Sequence, residues 1–307
     1  MFKSRFFLFS LRYLKEAYIQ VKNTDLVHLH FSRELIQVYS GLLCILFRKK
    51  FITQTHGMIR PKKHLWLFDF FLIRPVLRKA NANLVLTDEE SKAIRKVEKS
   101  LNPFILRNGT VFDEKYLSDD LSMKSDSLRK FRIIFCSRLH HTKGLQIMIE
   151  ICRQLKDQDL VIDFFGPDYG ELEKLKNALD AMGDSKAEFS YKGTINHQDV
   201  RRLLKQSDLM ILPSDYDPFP MIVLESLSVG TPVLISQNCG QANIVEKLIP
   251  NSVCKSNLPE DYTRMILHFK ENPFSNTDRN QLFTQAKKVL GIESVWRNLS
   301  SIYENVF

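Results

Sequence analysis

The sequence lacks any hydrophobic run long enough to cross a bilayer. Its longest clean apolar stretches, such as GLLCILF at residues 41–47, fall far short of the ~18 residues that a transmembrane helix needs. The first 22 residues are basic with a short apolar patch, but they contain no long hydrophobic core and no small-residue cleavage site, so no signal peptide is predicted. We therefore expect a cytoplasmic protein whose contact with a membrane, if any, is peripheral.

Cysteine is scarce and scattered. The five cysteines form no C-x-x-C pair, so the pattern predicts neither a zinc site nor a disulfide framework, and free thiols fit a reducing compartment. Low-complexity segments and repeats of a solenoid period are also absent from the sequence. With 307 residues, of which 44% are hydrophobic and 26% charged, the chain has an ordinary globular composition and enough length for two domains.

Acidic residues are sparse in the first third of the chain. Residues 1–112 contain 20 Lys and Arg against 8 Asp and Glu, whereas the remainder contains 24 against 27, so the net charge of +9 comes from the first third. This asymmetry favours an anionic partner such as nucleic acid, an anionic membrane or a phosphorylated substrate, although a solvated basic face explains the same charge. No recognised nucleic-acid motif accompanies the charge, so we expect no nucleic acid as a partner.

Short β-type runs alternate with helical patterns, which predicts βαβ units and parallel sheets. A first series runs from DLVHLH at residues 25–30 to PFILRNG at 103–109, with a helical stretch that we expect to be interrupted at Pro75. A second series begins with FRIIFCS at 131–137 and continues to PVLIS at 232–236. The chain is therefore expected to be of the α/β class.

The two series predict two domains. We expect an incomplete N-terminal domain over residues 1–112, a polar linker over 113–130 and a C-terminal domain over 131–292. An amphipathic helix at about 293–306 ends the chain and could pack back on the first domain. Two open α/β domains of this kind usually bind a ligand in the crevice between them, at the carboxyl ends of the strands.

The segment FCSRLHHTKGLQIMIE, residues 135–150, has the pattern strand, loop and helix. Arg138 follows the predicted strand, and Lys143 and Gly144 precede the predicted helix. Two cations beside the free N–H groups of a helix start form a place for a diphosphate, with Arg gripping two oxygens and Lys acting as a point charge. A solvated basic loop has the same pattern, so this segment alone leaves both interpretations open.

Two acids frame the segment SDYDPFPMIVLESLSVGTPVLIS at residues 214–236. Asp217 followed by Pro218 is the pattern of a helix N-cap and first helical residue, and Pro220 also suits a first turn. Glu225 lies mid-helix among leucines, where a buried carboxylate rarely lacks a partner, and a pair of ligand hydroxyls would provide one. Asp217 therefore has an ordinary structural explanation, whereas Glu225 points to a ligand.

Taken in order, these segments resemble family 4 of the retaining glycosyltransferases with the GT-B fold, which use nucleotide-sugar donors. The resemblance runs from about Leu26 to the C-terminus and is most specific in the C-terminal half. It rests on DLVHLH, QTHGMIRP, ANANLVLTDEES, ILRNGT, SRLHHTKG, YKGTINHQDV and SDLMILPSDYDPFPMIVLESLSVGTPVLIS, followed by the final helix. The resemblance implies two Rossmann-like domains that face each other across a cleft.

The resemblance also implies roles for the matching residues. Arg138 and Lys143 match the pair that binds the donor diphosphate and stabilises the leaving group, with Gly144 beside them. Glu225 matches the acid that holds the donor ribose. Asp217 stands beside the transferred sugar, where the family more often has Glu, so its reach is one methylene shorter.

Further expected donor contacts lie beside these residues. The backbone N–H groups of Phe219, Met221 and Ile222 match positions near donor sugar hydroxyls or phosphate, and Pro220, where the family often has Gly, removes one N–H. His56 matches a histidine that faces the donor sugar from the N-terminal domain, although a lone histidine at a strand end is more often structural. The candidate catalytic residues are therefore His56, Arg138, Lys143, Asp217 and Glu225.

The implied reaction transfers a sugar with retention of configuration and without a metal or other cofactor. DYD at residues 215–217 is spelled like a D-x-D metal motif, but it lies inside the paired-acid motif, so no metal site is predicted. The expected partners are a nucleotide sugar and a glycan or lipid-linked acceptor of a cell-surface polysaccharide such as a capsule. The basic, aromatic residues 58–79 fit docking on the anionic inner face of the cell membrane, although the same aromatics could belong to the core.

The N-terminus departs from the family. Members begin with a strand and a glycine-rich loop that approaches donor phosphate and acceptor, whereas this sequence starts with a basic helical pattern and reaches DLVHLH by residue 30. The resemblance then implies that at least one to two βα units are missing, which would leave the first strand as an uncovered edge. The alternative to an active enzyme is therefore a catalytically inactive or split-enzyme remnant that binds nucleotide sugar or a partner subunit.

Overall fold

The computed structural model describes residues 11–117 and 129–306, and the chain divides into two compact units. Unit 1 comprises Met1–Asn108 together with Val295–Phe307, and unit 2 comprises Gly109–Ser294. Each unit contains one parallel sheet, so the expected α/β class is confirmed. Much of the predicted linker, and the start of the basic N-terminal pattern, lie outside the described residues.

Strands and helices alternate in unit 1. They are α1 (Leu11–Asn23), β1 (Leu26–His30), α2 (Leu35–Leu46), β2 (Lys50–Gln54), α3 (Trp66–Phe68), α4 (Arg74–Lys79), β3 (Ala82–Val85), α5 (Asp88–Val97) and β4 (Phe104–Ile105). The strands pair in the order β1-β2-β3-β4, so β1 lies at one edge among the described strands. Chain order and spatial order agree, as short crossover connections produce.

A π-helical turn, Asp69–Ile73, joins α3 to α4. The N–H of Arg74 bonds to the carbonyl of Asp69, five residues earlier, and Pro75 occupies the first turn of α4. A proline there loses no helical hydrogen bond. The interruption predicted at Pro75 is therefore wrong in form: the chain stays helical through the proline and changes its hydrogen-bond register just before it.

Unit 2 repeats the alternation with a larger sheet. It contains β5 (Phe131–Cys136), α6 (Leu145–Leu155), β6 (Leu160–Phe165), α7 (Leu172–Asp180), β7 (Glu188–Tyr191), α8 (His197–Lys205), β8 (Leu209–Leu212), α9 (Met221–Leu227), β9 (Val233–Ser236), α10 (Ala242–Leu248), β10 (Val253–Cys254), α11 (Pro259–Glu271) and α12 (Asn276–Leu290). The last helix, α13 (Ile292–Val306), belongs mostly to unit 1.

Both faces of the unit 1 sheet are covered by apolar side chains. Phe51 on β2 and Ile94 on α5 belong to the core on one face. The neighbouring Ile52 points to the opposite face, because side chains alternate along a strand, and there it packs with Leu84 and with Ile302 of α13. Burying each of these side chains contributes about 1.5–3 kcal/mol, so α13 is an integral part of unit 1.

The strand order of unit 2 is β10-β9-β8-β5-β6-β7. The chain leaves β5 towards β6 and β7, and then returns to the other side of β5 at β8. The boundary between β5 and β8 is therefore a topological switch point, where open α/β sheets bind ligands beyond the carboxyl ends of their strands. The loops after β5 and β8 carry Lys143 and Asp217, so the fold brings these two predicted residues to the switch point.

Candidate functional site

The loops after β5 and β8 bring a lysine and an aspartate into contact. Nζ of Lys143 donates a hydrogen bond to Oδ2 of Asp217, and the two side chains are only 11% and 13% exposed. Removing such charges from water is costly unless further hydrogen bonds support them. Oδ1 of Asp217 also accepts the N–H of Phe219 at 3.2 Å. The switch point therefore holds a largely buried cation in a defined place.

Gly144 allows these two loops to approach each other closely. Its φ of 76° lies in the left-handed region, and a Cβ at this position would overlap the backbone carbonyl of Pro213, which follows β8. Both facts require glycine. The residue next to Lys143 thus sets the separation between the two loops of the site.

Asp217 is not the N-cap that the Asp-Pro pattern predicts. Helix α9 begins at Met221, with Pro220 in extended backbone (φ −63°, ψ 119°) at the N-cap position. A residue that precedes proline is disfavoured in helical conformation, so Pro218 and Pro220 delay the helix start. Asp217 instead forms an Asx turn through the N–H of Phe219, which leaves its second oxygen for Lys143.

The loop after β9 supports the Asp217 segment from the other side. The N–H of Gly240 donates to the carbonyl of Asp217 at 2.8 Å. The fully buried side chain of Gln241 donates to the carbonyl of Pro220 at 3.1 Å. These bonds fix the backbone on both sides of Phe219, and the sequence alone assigned no role to Gln241.

Glu225 lies in α9 and is buried, with 8% of its surface exposed. Nδ1 of His197, the first residue of α8, lies 3.4 Å from its Oε1. Burial raises the pKa of Glu225 above its ordinary value, and the charges of His197 and Arg201 oppose that rise. Among the described residues, His197 is the one recorded ion-pair or hydrogen-bond partner of this carboxylate, which retains capacity to accept two hydroxyl donors.

Arg138 is exposed and makes its own contact in the loop after β5. Its guanidinium lies over the ring of Tyr169, 5.3 Å from the ring centre. An exposed contact of this kind is worth about 0.5–1 kcal/mol, so it orients the side chain without holding it tightly. Arg138 and Lys143 thus belong to one loop but have different partners.

The remaining predicted donor contacts lie around the start of α9. Phe219 is buried and its N–H is already bonded to Asp217. Pro220 is buried at the N-cap, and Met221 and Ile222 form the first helical turn, with the Met221 side chain 43% exposed. The predicted backbone donor of Phe219 is therefore already used within the protein.

His56 lies in unit 1, in the turn after β2. Its φ is 48°, that of Gly57 is 75°, and the N–H of Met58 donates to the carbonyl of Thr55 at 2.8 Å. Two consecutive positive φ angles spanned by such a bond are the pattern of a type I′ turn. A non-glycine residue in the left-handed region costs about 1–2 kcal/mol, so the surrounding structure must hold His56 there.

His56 is the last member of a stack of three histidines. His30 stacks on His56 with ring centres 4.9 Å apart, and its Nδ1 lies 2.6 Å from Nε2 of His56. His28 stacks on His30, and its Nδ1 is 2.8 Å from the hydroxyl of Tyr303. Burial, then His30 and His28, lower the pKa of His56 to about 4. His56 is therefore neutral at pH 7 and acts as a hydrogen-bonding group.

A match to a known family covers most of unit 2. The model of the family "Glycosyl transferases group 1" matches residues 119–289, more than half of the chain. The chain belongs to this family of glycosyl transferases.

Two curated relatives of this group 1 glycosyl transferase match over parts of their length. The chain is 31% identical over 134 residues to the amylovoran biosynthesis glycosyltransferase AmsK of Erwinia amylovora, covering 41% of this chain and 33% of that protein. It is 22% identical over 241 residues to the 2-deoxystreptamine N-acetyl-D-glucosaminyltransferase of Niallia circulans, covering 72% and 61%. The chain thus spans less than two thirds of either relative.

The crystal structure of Anabaena Alr3699/HepE in complex with UDP has the same fold. The TM-score is 0.79 at 15% sequence identity, over 95% of this chain and 82% of that one. This likeness shows that this group 1 glycosyl transferase has the GT-B fold.

The group 1 chain contains no recognised metal cluster in the part that the structure describes. Within residues 11–117 and 129–306, no three His, Cys, Asp or Glu side chains are arranged to hold a metal ion. In the DYD segment, Asp215 is exposed and its N–H bonds to the carbonyl of Thr142, whereas the carboxylate of Asp217 is engaged by Lys143.

Each unit also contains residues, beside the predicted ones, that sequence reasoning missed. His197 lies in the quoted segment YKGTINHQDV, yet its approach to Glu225 depends on the packing of α8 beside α9. His28 and His30 do have a sequence signal, because the H-x-H alternation of DLVHLH places both side chains on one face of β1. Gln241 shows no such signal.

Proposed function

We propose that this chain is a retaining, metal-independent family 4 glycosyltransferase. It moves a sugar from a nucleoside-diphosphate donor to a glycan or lipid-linked acceptor of a cell-surface polysaccharide such as a capsule. The observation that carries the proposal is the largely buried Lys143–Asp217 pair at the switch point of unit 2. A buried cation at the carboxyl ends of parallel strands, beside a helix start, suits a diphosphate.

The leaving nucleoside diphosphate gains negative charge as the bond to the sugar breaks. Lys143 would stabilise that charge as a preorganised point charge, and the more exposed Arg138 would grip two phosphate oxygens. Asp217 would then accept a hydroxyl of the transferred sugar. Glu225 would accept the two ribose hydroxyls, for which its carboxylate has capacity. His56, neutral at pH 7, would hydrogen-bond to the donor sugar.

The relatives support the donor and product classes. AmsK is named for amylovoran biosynthesis, and the Anabaena protein was crystallised with UDP. Because the chain spans only part of the curated relatives, the sugar, the nucleotide and the acceptor are open to test.

Turnover by the purified chain tests the proposal. With a panel of UDP-sugars, we expect release of UDP that persists in EDTA, and NMR should show that the product keeps the donor's anomeric configuration. Glu225→Gln should lower kcat/KM about 10- to 100-fold, because a hydrogen bond to a charged group is worth about 1.5–3 kcal/mol. Glu246→Gln, a half-buried glutamate on α10, is the matched control and should keep activity.

Three results would contradict parts of the proposal. Loss of activity in EDTA would contradict metal independence, and an inverted product would contradict retention. Binding of UDP without turnover of any donor would favour the remnant alternative.

We further propose that unit 1 contacts an anionic membrane through the helical segment around the π turn. Trp66, Leu67, Phe70 and Phe71 are each about half exposed or more, at 61%, 51%, 49% and 65%. The guanidinium of Arg74 lies over the ring of Phe70, and the first third of the chain is strongly basic. Exposed aromatics beside cations fit the interface of an anionic bilayer. In the described part of the chain, no helix is long and apolar enough to span one.

Vesicle sedimentation tests this contact. The protein should bind vesicles that contain phosphatidylglycerol and not vesicles of phosphatidylcholine alone. The double variant Phe70→Ser, Phe71→Ser should bind about 10-fold more weakly, because it removes apolar area from the interface. Trp296→Ser is the matched control, since Trp296 is 64% exposed on α13 of the same unit. Equal losses in both variants would contradict the assigned surface.

A further inference from the structure

A buried carboxylate braces the turn that presents His56. Glu90, in the first turn of α5, is 4% exposed. Its Oε1 accepts the hydroxyl of Thr55 and the N–H of Gly57, each at 2.5 Å, and its Oε2 accepts the N–H of Leu86 at 2.7 Å. The two residues that flank His56 are thus bonded to the same carboxylate oxygen.

Glu90 does not act as the acid of an ordinary capping box. Thr87 is the N-cap of α5 and accepts the N–H of Glu90 at 3.1 Å. In a capping box, the acid three residues after the cap returns to the N–H of the cap itself. Here the carboxylate reaches instead to Leu86 and to the turn after β2. Strand β2 pairs with β3, and α5 follows β3. Glu90 of α5 therefore supports the turn at the end of the neighbouring strand β2.

The far end of the same loop is held by a second buried group. Arg33 donates to both carboxylate oxygens of Asp69, at 2.7 and 2.9 Å, and this pair is buried. Arg33 also donates to the carbonyls of Met58, at 3.3 Å, and Arg60, at 2.6 Å. With both ends of the loop anchored, the conformation at His56 depends on Glu90 on one side and on Arg33 on the other.

We propose that Glu90 is a positioning residue for His56. Its carboxylate holds the left-handed turn at residues 55–57, so that the imidazole of His56 keeps one orientation and one tautomer against His30. The substrate that this imidazole faces, the donor sugar, rests on the proposed function. The positioning of His56 by Glu90 does not rest on that function, because the NMR signals of the imidazole can be measured without substrate.

Glu90→Gln tests the inference, with Glu98→Gln as a matched control. Glu98 caps the other end of α5, is also 4% exposed, and accepts the N–H and hydroxyl of Ser100. In the wild type and in Glu98→Gln, long-range proton–nitrogen NMR should show one neutral tautomer for His56. The signals of His56 are assigned by their absence from the spectrum of His56→Gln. In Glu90→Gln, the signals of His56 should average between tautomers.

The kinetic readout separates positioning from a loss of folded protein. Glu90→Gln should lower kcat about 10- to 100-fold with little change in the KM for the donor, because small misplacements of a group that orients the substrate cost this much. Thr55→Val removes the hydroxyl that donates to Glu90. It should shift the His56 signals in the same direction as Glu90→Gln does, to a smaller extent.

Two outcomes would overturn the inference. One is a folded Glu90→Gln protein with unchanged His56 signals, and the other is an equal change of those signals in Glu98→Gln. If the wild type turns over no donor, the proposed function fails, while the NMR comparison still decides whether Glu90 positions His56.

Discussion

Two strand-end loops in this chain hold their polar side chains by opposite electrostatic means. In unit 2, the loop after β5 directs Lys143 into an ammonium–carboxylate pair with Asp217. In unit 1, the turn after β2 places His56 in a stack of imidazoles, where burial and then the neighbouring histidines lower its pKa to about 4. One loop therefore presents an ammonium group paired with a carboxylate, and the other presents a neutral group that donates or accepts hydrogen bonds.

Under the proposed function, each loop would suit a different chemical group of a nucleotide-sugar donor. A diphosphate leaving group needs positive charge, whereas the hydroxyls of a sugar need neutral hydrogen-bond partners. The means of support differ as well. The Lys143 loop relies on an ion pair and on the close backbone approach at Gly144, while the His56 turn relies on the carboxylate of Glu90.

Replacing Lys143 should produce the largest effect. We expect Lys143→Met to lower kcat/KM about 1000-fold, because it removes preorganised charge where negative charge develops. Lys174→Met is the control, since Lys174 is exposed and pairs with Glu171 on the surface of unit 2. Steady-state kinetics measures kcat/KM for both variants. A loss below 10-fold for Lys143→Met would contradict the claim that this loop acts through the charge of Lys143.

Gly144→Ala should have the next largest effect, which is a loss of folding stability. A Cβ would overlap the carbonyl of Pro213 in a left-handed backbone, so we expect a loss of about 3 kcal/mol or more in the free energy of unfolding. Gly170→Ala provides the comparison, because Gly170 has a φ of 97° but open space around it, and should cost about 1 kcal/mol. Urea denaturation measures both, and equal losses would show that the close approach to Pro213 is unimportant.

Glu225→Gln should separate function from stability within unit 2, because it should lower activity without lowering stability at pH 8. Burial raises the pKa of Glu225, so the fold disfavours its ionised form. The associated stability is present below the unfolded-state pKa and is lost as pH rises through the folded-state value. The glutamine variant should therefore be equally or more stable than the wild type at pH 8, by about 1 kcal/mol or less, although its activity falls. Thermal unfolding at pH 4 and pH 8 measures this, and a lower Tm at pH 8 would contradict it.

The histidine stack should affect stability alone, and only as the pH falls. The pKa values of His56 and His28 are lowered, so the unfolded chain binds more protons between about pH 6.5 and pH 4. Stability is thus present above pH 6.5 and falls towards pH 4, by about 1–2 kcal/mol after allowing for solvent around the half-buried ring. His56→Gln should flatten this dependence in urea titrations at several pH values. An unchanged slope would show that His56 is not the titrating group.

Several features of the fold could be predicted because they are local. The apolar run FRIIFCS predicts β5, and the polar-apolar pattern that follows Gly144 predicts α6, since period and turn residues act within a few positions. The cap predicted at Asp217 was wrong for a reason equally local, because two prolines at alternate positions prevent the helix from starting before Pro220.

Partners of the site residues could not be predicted in the same way. Lys143 and Asp217 lie 74 positions apart, and the contact between them exists because β8 inserts beside β5. Glu90 and Gly57 lie 33 positions apart on neighbouring strand ends. Nothing in the spacing of T-D-E-E distinguishes an acid that closes a capping box from one that braces another loop.

The sequence by itself determined the α/β class, the order of strands and helices, and the motif order that resembles the glycosyltransferase family, because these depend on local pattern and residue type. Only the tertiary structure decided which charges meet, that His56 stands in a stack of histidines, and which carboxylate holds its turn. Those outcomes depend on sheet order and on burial, which bring distant residues together and change the cost of ionising them.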